Sequence, residues 1–469
     1  MKKYILFGTG SGGHRVLTML KQFADIEVFY CLDNYPKEDL FEDIPVIKAG
    51  EFLKRKDVNN YYYCIASVYR DEITQQLLQS GIKNKRIINE IDILIEHLEI
   101  IDNHIIYKTI TNNKNTVVFD LSHGFYLGGI EKWTYNLSSQ LIDYGKDVKL
   151  LSNDSDGMPP ENLKDYAIKS KVKNFWDYKI ESIQYLVDEI ESCMPCTVFT
   201  AHISSLMMAC ILLRIKYPGQ IKIISVVHGG LQYLINDNQT ILYYVDNVLC
   251  VSYDMYKILI EREMSQKHKI LFKETPVNIT NISMKRYSLD RGHPIKIAYA
   301  ARLEKLHKHS ELIIPFIEEM ERKFIPYTLD IAGDGGLFQK ISDFVNENKL
   351  SDKINMLGQL DYKKMENFWL EHDIAINMSE CEGCSLAMLE SMSAGNVPVF
   401  TDVSSTRHFI KNGLNGFIID YSDIKKMVSC IEFLEKNREK LAEMGRNAHN
   451  IIAEKCKIDE YVKYLLCLL

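Results

Sequence analysis

Two glutamates, Glu382 and Glu390, stand eight positions apart within SECEGCSLAMLESMSAGNVP, the run from Ser379 to Pro398. An apolar run precedes it and a helical pattern opens inside it. The amides of Gly383, Cys384, Ser385 and Leu386 therefore fall at a helix start, where unpaired N–H groups and the helix dipole favour an anion. Eight helical positions span about 12 Å, so the two carboxylates cannot act as one dyad. They can instead accept hydrogen bonds from hydroxyls at the two ends of a long ligand whose middle is a diphosphate. A nucleotide-sugar has that layout.

The other groups such a ligand needs lie upstream. Arg302 and Lys308 follow the apolar run 295–300, and fixed cations there would offset charge growing on a departing diphosphate. Glycines also stand at Gly128-Gly129 ahead of a helical pattern, at Gly333 in LDIAGDG and at Gly358 in INMLGQ, positions with no side chain to block a close approach. His228 ends the apolar run 221–227, and His202 ends the run 197–200; the latter reads as structural or acceptor-facing. Taken singly, each has a plain explanation as a strand-end histidine, a tight turn or a surface charge. The weight lies in their order.

That order resembles the retaining glycosyltransferases of family 4, over residues 117–450. The stretch Glu382–Glu390 looks like the family's E-x7-E region, Arg302-Leu303 through Lys308 like its Arg-Leu…Lys segment, and Gly128-Gly129-Ile130-Glu131 like its glycine loop. His228-Gly229 is similar to its active-site histidine, and Gly413 to Phe417 to its turn before a late strand. There are two departures: one extra residue separates Arg302 from Lys308, leaving Lys305 as an alternative cation, and His309 stands where a glycine is usual.

The resemblance implies an α/β protein of the GT-B kind, with two Rossmann-like lobes and a cleft between them. It implies a retaining, metal-independent hexosyltransferase with Glu382, His228, Arg302 and Lys308 as catalytic residues. Donor contacts would come from Gly128, Gly129, Gly333, Gly358, Gly383, Cys384, Ser385, Leu386 and Glu390. No cofactor is called for, the donor being a nucleoside-diphosphate sugar, with UDP-sugars first among them. A glycan or lipid-linked acceptor in bacterial surface polysaccharide synthesis follows, in line with a Lys-, Asn- and Ile-rich composition.

An additional module precedes these lobes. A strand-like run at 3–7 leads into Gly8-x-Gly10-x-x-Gly13, a helical pattern, and a second strand-like run ending at Asp33, which is the setting a dinucleotide fingerprint requires. The module is similar to the small Rossmann domains ahead of bacterial sugar-modifying enzymes, including the nucleotide-sugar-binding part of sugar acetyltransferases. Gly8, Gly10, Gly13 and Asp33 are thus candidates for an accessory nucleotide site, with a docking role as the alternative.

The elements that must position these residues read as an uninterrupted β/α alternation. We expect an accessory domain at 1–104, a polar linker at 105–115, an acceptor lobe at 116–288, a donor lobe at 289–450, and a C-terminal helix at 451–469 packing on a lobe. The whole stretch 425–469 reads as one amphipathic helix. The chain has 469 residues, 46% apolar and 25% charged, with a formal charge of −7. That balance excludes disorder and gives no basic field for nucleic acid. Eleven scattered cysteines fit a reducing compartment. The pairs Cys193/Cys196 and Cys381/Cys384 have zinc-like spacing, but they lie far apart and the second pair belongs to the Glu382 run, so no metal site is read. The start lacks a signal-peptide pattern and no run is long enough to span a bilayer. A cytoplasmic protein is expected, compatible with peripheral contact at the inner membrane face and with a homo-oligomer. Two other functions fit parts of the chain: an NAD(P)-dependent oxidoreductase or epimerase built on the N-terminal fingerprint, and a non-catalytic nucleotide-sugar-binding partner of another transferase.

Overall fold

The computed structural model describes residues 1–97, 115–125, 128–153, 157–230, 232–403 and 405–469, the side chains of Gln232, Tyr233 and Tyr362 excepted. Of the linker expected at 105–115, only Asn115 falls among them.

Three largely parallel sheets follow one another along the chain. The first contains β1 (Lys2–Phe7), β2 (Ile26–Asp33), β3 (Leu40–Phe41), β4 (Ile44–Lys48), β5 (Tyr62–Ile65) and β6 (Ile87–Ile88), in the order β3-β4-β2-β1-β5-β6. The second contains β7 (Thr116–Leu121), β8 (Asp147–Ser152), β9 (Ala167–Lys169), β10 (Cys196–Thr200), β11 (Ile221–Val227), β12 (Asn247–Cys250) and β13 (Ile270–Phe272), in the order β13-β12-β11-β10-β7-β8-β9. The third contains β14 (Ile295–Ala300), β15 (Tyr327–Ala332), β16 (Ile354–Gly358), β17 (Ile374–Asn377), β18 (Val397–Thr401) and β19 (Phe417–Ile419), in the order β16-β15-β14-β17-β18-β19.

The central strands read as continuous apolar runs because helices cover both sheet faces. Each sheet reverses its strand order once, at β1/β5, β7/β10 and β14/β17. Crevices at such reversals, outside the carboxyl ends of the strands, are where open α/β sheets take ligands. Four short strands, β3, β4, β9 and β13, escape the sequence pattern, being two to five residues long at or beside sheet edges, where alternation is too brief to register.

The second and third sheets with their helices form the two lobes of a GT-B arrangement, and the first sheet is an extra domain ahead of them. One apolar cluster runs from Tyr4, Leu6 and Leu17 through Val118, Leu212 and Ile224 to Tyr461 and Leu465, so the N-terminal module shares a core with the middle lobe. Helix Glu90–Glu96 lies against helix Ser205–Lys216. Polar ties complete the junction: Arg262 pairs with Asp71 at 3.0 Å, and the Asn236 amide donates to the Val68 carbonyl at 3.0 Å.

The expected single helix at 425–469 is instead three: Ile424–Lys436, Glu439–Lys455 and Ile458–Leu466, interrupted at Asn437 and Cys456. Each piece is amphipathic on its own, so apolar periodicity continues across both breaks and hides them. The last helix returns to the middle lobe, packing on helix Gly129–Asp143. Among the described residues, no helix is long and apolar enough to cross a membrane.

Candidate functional site

A cleft of about 1030 Å³ separates the middle and third lobes. Its walls include Gly128, Gly129, His228, Arg302, Lys308, Gly333, the residues 382–387 and Glu390. The two order reversals face it. From the third lobe, Arg302 lies two residues beyond β14, and Glu382 lies in the turn between β17 and helix Leu386–Ser393. From the middle lobe, His228 immediately follows β11 and Gly129 opens the helix Gly129–Asp143.

Backbone crowding explains two of the glycines. A Cβ at Gly383 would stand 1.9 Å from the carbonyl oxygen of His228, so the donor-lobe turn can approach the middle lobe only without a side chain. Gly333 has φ +143°, and its Cβ would stand 1.9 Å from the Ala301 carbonyl oxygen; this close approach folds the β15 loop against the Arg302 segment. Gly358 lies outside the cleft wall, where Gln359 and Leu360 take its place, but its carbonyl accepts the Gly333 amide at 2.7 Å. Ser385 caps the helix, its side chain accepting from the Met388 amide at 3.3 Å. One of the amides at that helix start is therefore already engaged.

Both acids are paired with lysines. Glu382 Oε1 is 2.5 Å from Lys308 Nζ and accepts from Ser379 Oγ at 2.7 Å. Glu390 Oε1 is 2.5 Å from Lys132 Nζ, while its Oε2 accepts from the Trp369 indole at 3.4 Å. Arg302, whose side chain is 67% exposed, meets Glu304 only at 3.5 Å, so it is the least restrained cation in the cleft wall. The structure puts Lys308 in that wall and leaves Lys305 exposed outside it. His309 adopts φ +47°, a left-handed conformation that explains why glycine suits this position. Contacts with Glu311 at 3.0 Å, Glu380 at 2.9 Å and Tyr421 at 2.9 Å hold it there.

Burial pushes His228 down to about 3 and His202 down to about 4, the latter helped by His123. Neutral imidazoles at pH 7 suit hydroxyl groups better than phosphates. Glu131 is buried with its carboxylate folded over Gly128, where an added Cβ would meet Oε2 at 2.4 Å, and burial pushes its pKa up.

His123, Lys132 and Trp133, all in the cleft wall, are not among the residues singled out from the sequence. His123 follows β7 as His202 follows β10, a strand-end signal that was there to be read. Lys132 had the signal of a cation in the first turn after Gly128-Gly129. The two cysteine pairs sit on different lobes, Cys193/Cys196 at the start of β10 and Cys381/Cys384 in the cleft turn. Among the described residues, no group of three or more His, Cys, Asp or Glu could hold a metal ion.

In the N-terminal module the chain itself fills the glycine positions. A Cβ at Gly8 would meet the Ala66 carbonyl oxygen at 2.6 Å, one at Gly13 the Gly8 oxygen at 2.4 Å, and only Gly10 faces open space. Asp33 accepts from Thr9 Oγ1 and the Tyr35 amide, each at 2.9 Å. These four residues stand apart from the cleft.

Residues 283–451 match a family model described as "Glycosyl transferases group 1", and residues 1–88 match one described as "C2185-like, N-terminal". Among curated proteins, the UDP-N-acetylglucosamine–peptide N-acetylglucosaminyltransferase GtfA subunit of Streptococcus agalactiae is 28% identical over 24% of this chain and 22% of its own length. The poly(ribitol-phosphate) alpha-N-acetylglucosaminyltransferase of Staphylococcus aureus is 27% identical over 35% and 32%. The chain thus spans about a third or less of the length of these two relatives. Among solved structures, the pneumococcal O-GlcNAc transferase GtfA with UDP and GlcNAc aligns with TM-score 0.60 and 13% identity, over 76% of this chain and 99% of that one. S. aureus TarM in complex with UDP aligns over 100% and 99% with TM-score 0.52 and 15% identity. The fold is that of GT-B proteins, and the matches support a glycosyltransferase.

Proposed function

We propose that the chain transfers a hexose from a nucleoside-diphosphate donor, a UDP-sugar, to a glycan or lipid-linked acceptor in bacterial surface polysaccharide synthesis. The observation that carries this reading is the convergence of Glu382, Lys308, Arg302 and His228 on one cleft with the Gly129 loop and the start of helix Leu386–Ser393. Cleaving the donor leaves negative charge on the diphosphate and positive charge on the anomeric carbon. Arg302, Lys308 and amide dipoles at the two helix starts meet the first, and closure of the lobes over a donor would exclude water and strengthen these charges. Glu382 and neutral His228 address the sugar, and Glu390 takes the ribose. On this reading the cations supply the charge a divalent ion would supply elsewhere, and attack comes from the leaving-group face with retention. A UDP complex of the pneumococcal neighbour and the glycerol-phosphate and ribitol-phosphate acceptors named for two relatives are in keeping with it, whereas the peptide acceptor named for the GtfA relatives is of another class.

For the N-terminal module, close packing at Gly8 and Gly13 beside open space at Gly10 suits the accessory nucleotide site as well as a docking role. The test is release of the nucleoside diphosphate from a panel of UDP-, GDP- and ADP-sugars, with and without EDTA. Arg302→Ala and Glu382→Ala should each lower it at least about a hundredfold, the loss typical of removing one group that stabilises developing charge. Unaltered rates in both variants would sink the assignment, and NMR of the first-formed anomer checks retention.

A further inference from the structure

The middle sheet lines up three histidines. Strands β11, β10 and β7 are neighbours in it, and each is followed within two residues by a histidine at the same edge: His228, His202 and His123. The ring of His202 lies 6.1 Å from that of His123, and Trp176 completes the group at 4.7 Å from His123 and 6.2 Å from His202. At the other end of the row, His228 sits edge-on to the buried Trp133 at 5.0 Å. The row of strand ends thus leads from the donor-side histidine to the ring group of His202, His123 and Trp176. Its outer part is accessible: His123 is exposed, and His202 and Trp176 are half-buried.

The outer wall is built, not incidental. Trp176 rides a loop fixed from within, Asn174 accepting the Trp176 amide at 2.9 Å, and Asp177 accepting the Lys179 amide at 3.1 Å and Ser182 Oγ at 2.8 Å. The N-terminal module fixes it from without. Gln22 donates to the Tyr178 carbonyl at 3.1 Å and accepts the Ile180 amide at 2.8 Å, and Arg15 lies 5.7 Å over the Tyr178 ring. Tyr178 in turn donates to the Ile203 carbonyl at 2.9 Å, next to His202. The extra module therefore braces both sides of the wall.

An aromatic face beside imidazoles suits a ligand with an apolar ring or carbon face and a rim of hydroxyls. The indole stacks on C–H groups, and the imidazole nitrogens can hydrogen-bond hydroxyls. A peptide docking as an added strand would need an unpaired sheet edge. None is offered here, since β7, β10 and β11 are each paired on both sides. We propose that His123, Trp176 and His202 form the acceptor subsite, that its ligand is a sugar or polyol unit, and that the N-terminal module holds it in shape. This rests on the donor reading above.

The test uses the full chain with UDP present and three probes: maltotetraose, a glycerol-phosphate tetramer and a serine-rich decapeptide. Of the three tryptophans, Trp133 and Trp369 are 3% and 2% exposed, so a probe-induced change in emission reports Trp176. Saturable binding of maltotetraose or the glycerol-phosphate tetramer is expected. It should weaken at least about tenfold in His202→Ala and, followed by NMR line broadening of the probe, in Trp176→Ala, as for an aromatic anchor. Trp176→Phe, which keeps an aromatic face, should stay within about threefold. The UDP-induced thermal shift of each variant reports folding and the donor site separately. The proposal is overturned if neither polyhydroxy probe binds, if both variants bind them within about twofold of the unaltered chain, or if only the peptide binds. A missing UDP shift alongside Trp176-dependent sugar binding would refute the donor reading and with it the acceptor role, leaving a sugar-binding wall only.

Discussion

Lys132 and Glu390 meet at 2.5 Å across the cleft, one on the first turn of a middle-lobe helix and the other on a donor-lobe helix. Their side chains are 24% and 18% exposed, enough enclosure for the pair to matter more than a surface contact. If Glu390 takes the ribose, a donor has to compete with Lys132 for the carboxylate, so the pair acts as a latch on the empty cleft. Lys132→Met should widen the apo cleft, read as a larger radius of gyration by small-angle scattering that UDP reverses. Glu390→Gln loses both the latch and the charged acceptor, and should weaken UDP by about tenfold or more, as for a hydrogen bond to a charged group. Equal UDP affinities in the two variants would remove the ribose role.

Lys308 and Glu382 form the second enclosed pair, 21% and 11% exposed. Removing the lysine alone leaves a carboxylate held by Ser379 without a countercharge. Lys308→Ala should therefore cost about 1–3 kcal/mol of stability, less than for a fully buried pair. Adding Glu382→Gln should recover most of that loss in chemical denaturation while activity stays down at least about a hundredfold. Full recovery of turnover in the double variant would make the pair purely structural.

Much of this was legible in the residues. Apolar runs gave the long central strands because both faces of each sheet are covered, and the Glu382–Glu390 spacing placed its two acids at opposite ends of a ligand-sized span. Other features depend on pairing that no local pattern encodes. Lys132 reaches Glu390 from a different lobe, and Trp176 reaches His123 and His202 only once the loop after β9 folds over the strand ends. The glycines at 8 and 13 have a local reason: the fingerprint spacing calls for a tight turn and a close helix–strand approach, and carbonyls of Ala66 and Gly8 occupy the space a side chain would need.

Gly383 and Gly129 separate packing from ligand approach. Alanine at Gly383 collides with backbone of the other lobe, at 1.9 Å from the His228 oxygen, so Gly383→Ala should hold the lobes apart, lower thermal stability and abolish turnover together. Alanine at Gly129 meets nothing nearer than Leu386 Cδ1 at 4.0 Å. Gly129→Ala should fold with unchanged or slightly raised stability, since alanine favours the helix by up to about 1 kcal/mol over glycine. If the loop approaches a diphosphate, the same variant should weaken UDP binding severalfold by calorimetry; unchanged affinity would place the donor elsewhere.

The strand-end histidines give stability a pH dependence whose sign is fixed by their burial. His228 is held near 3 and His202 near 4, whereas an exposed histidine titrates near about 6.5. Between those values the unfolded chain binds protons that the folded chain refuses, so unfolding becomes easier as pH falls through 6.5 toward 4, and above 7 the contribution is complete. Asp237 works in the opposite direction: burial raises it to about 7 beside Arg70, Glu90 and Arg15, and stability from its bound proton is lost as pH rises through that value. The net Tm profile mixes the two, so the informative quantity is a difference. His228→Asn cannot titrate, and its Tm should fall less steeply than that of the unaltered chain between about pH 6.5 and 5, where carboxylates paired in the fold are still ionised. Asp237→Asn should raise Tm at pH 8 by more than it does at pH 5. Parallel profiles for the unaltered chain and His228→Asn would mean that the imidazole titrates freely and is not enclosed against Trp133.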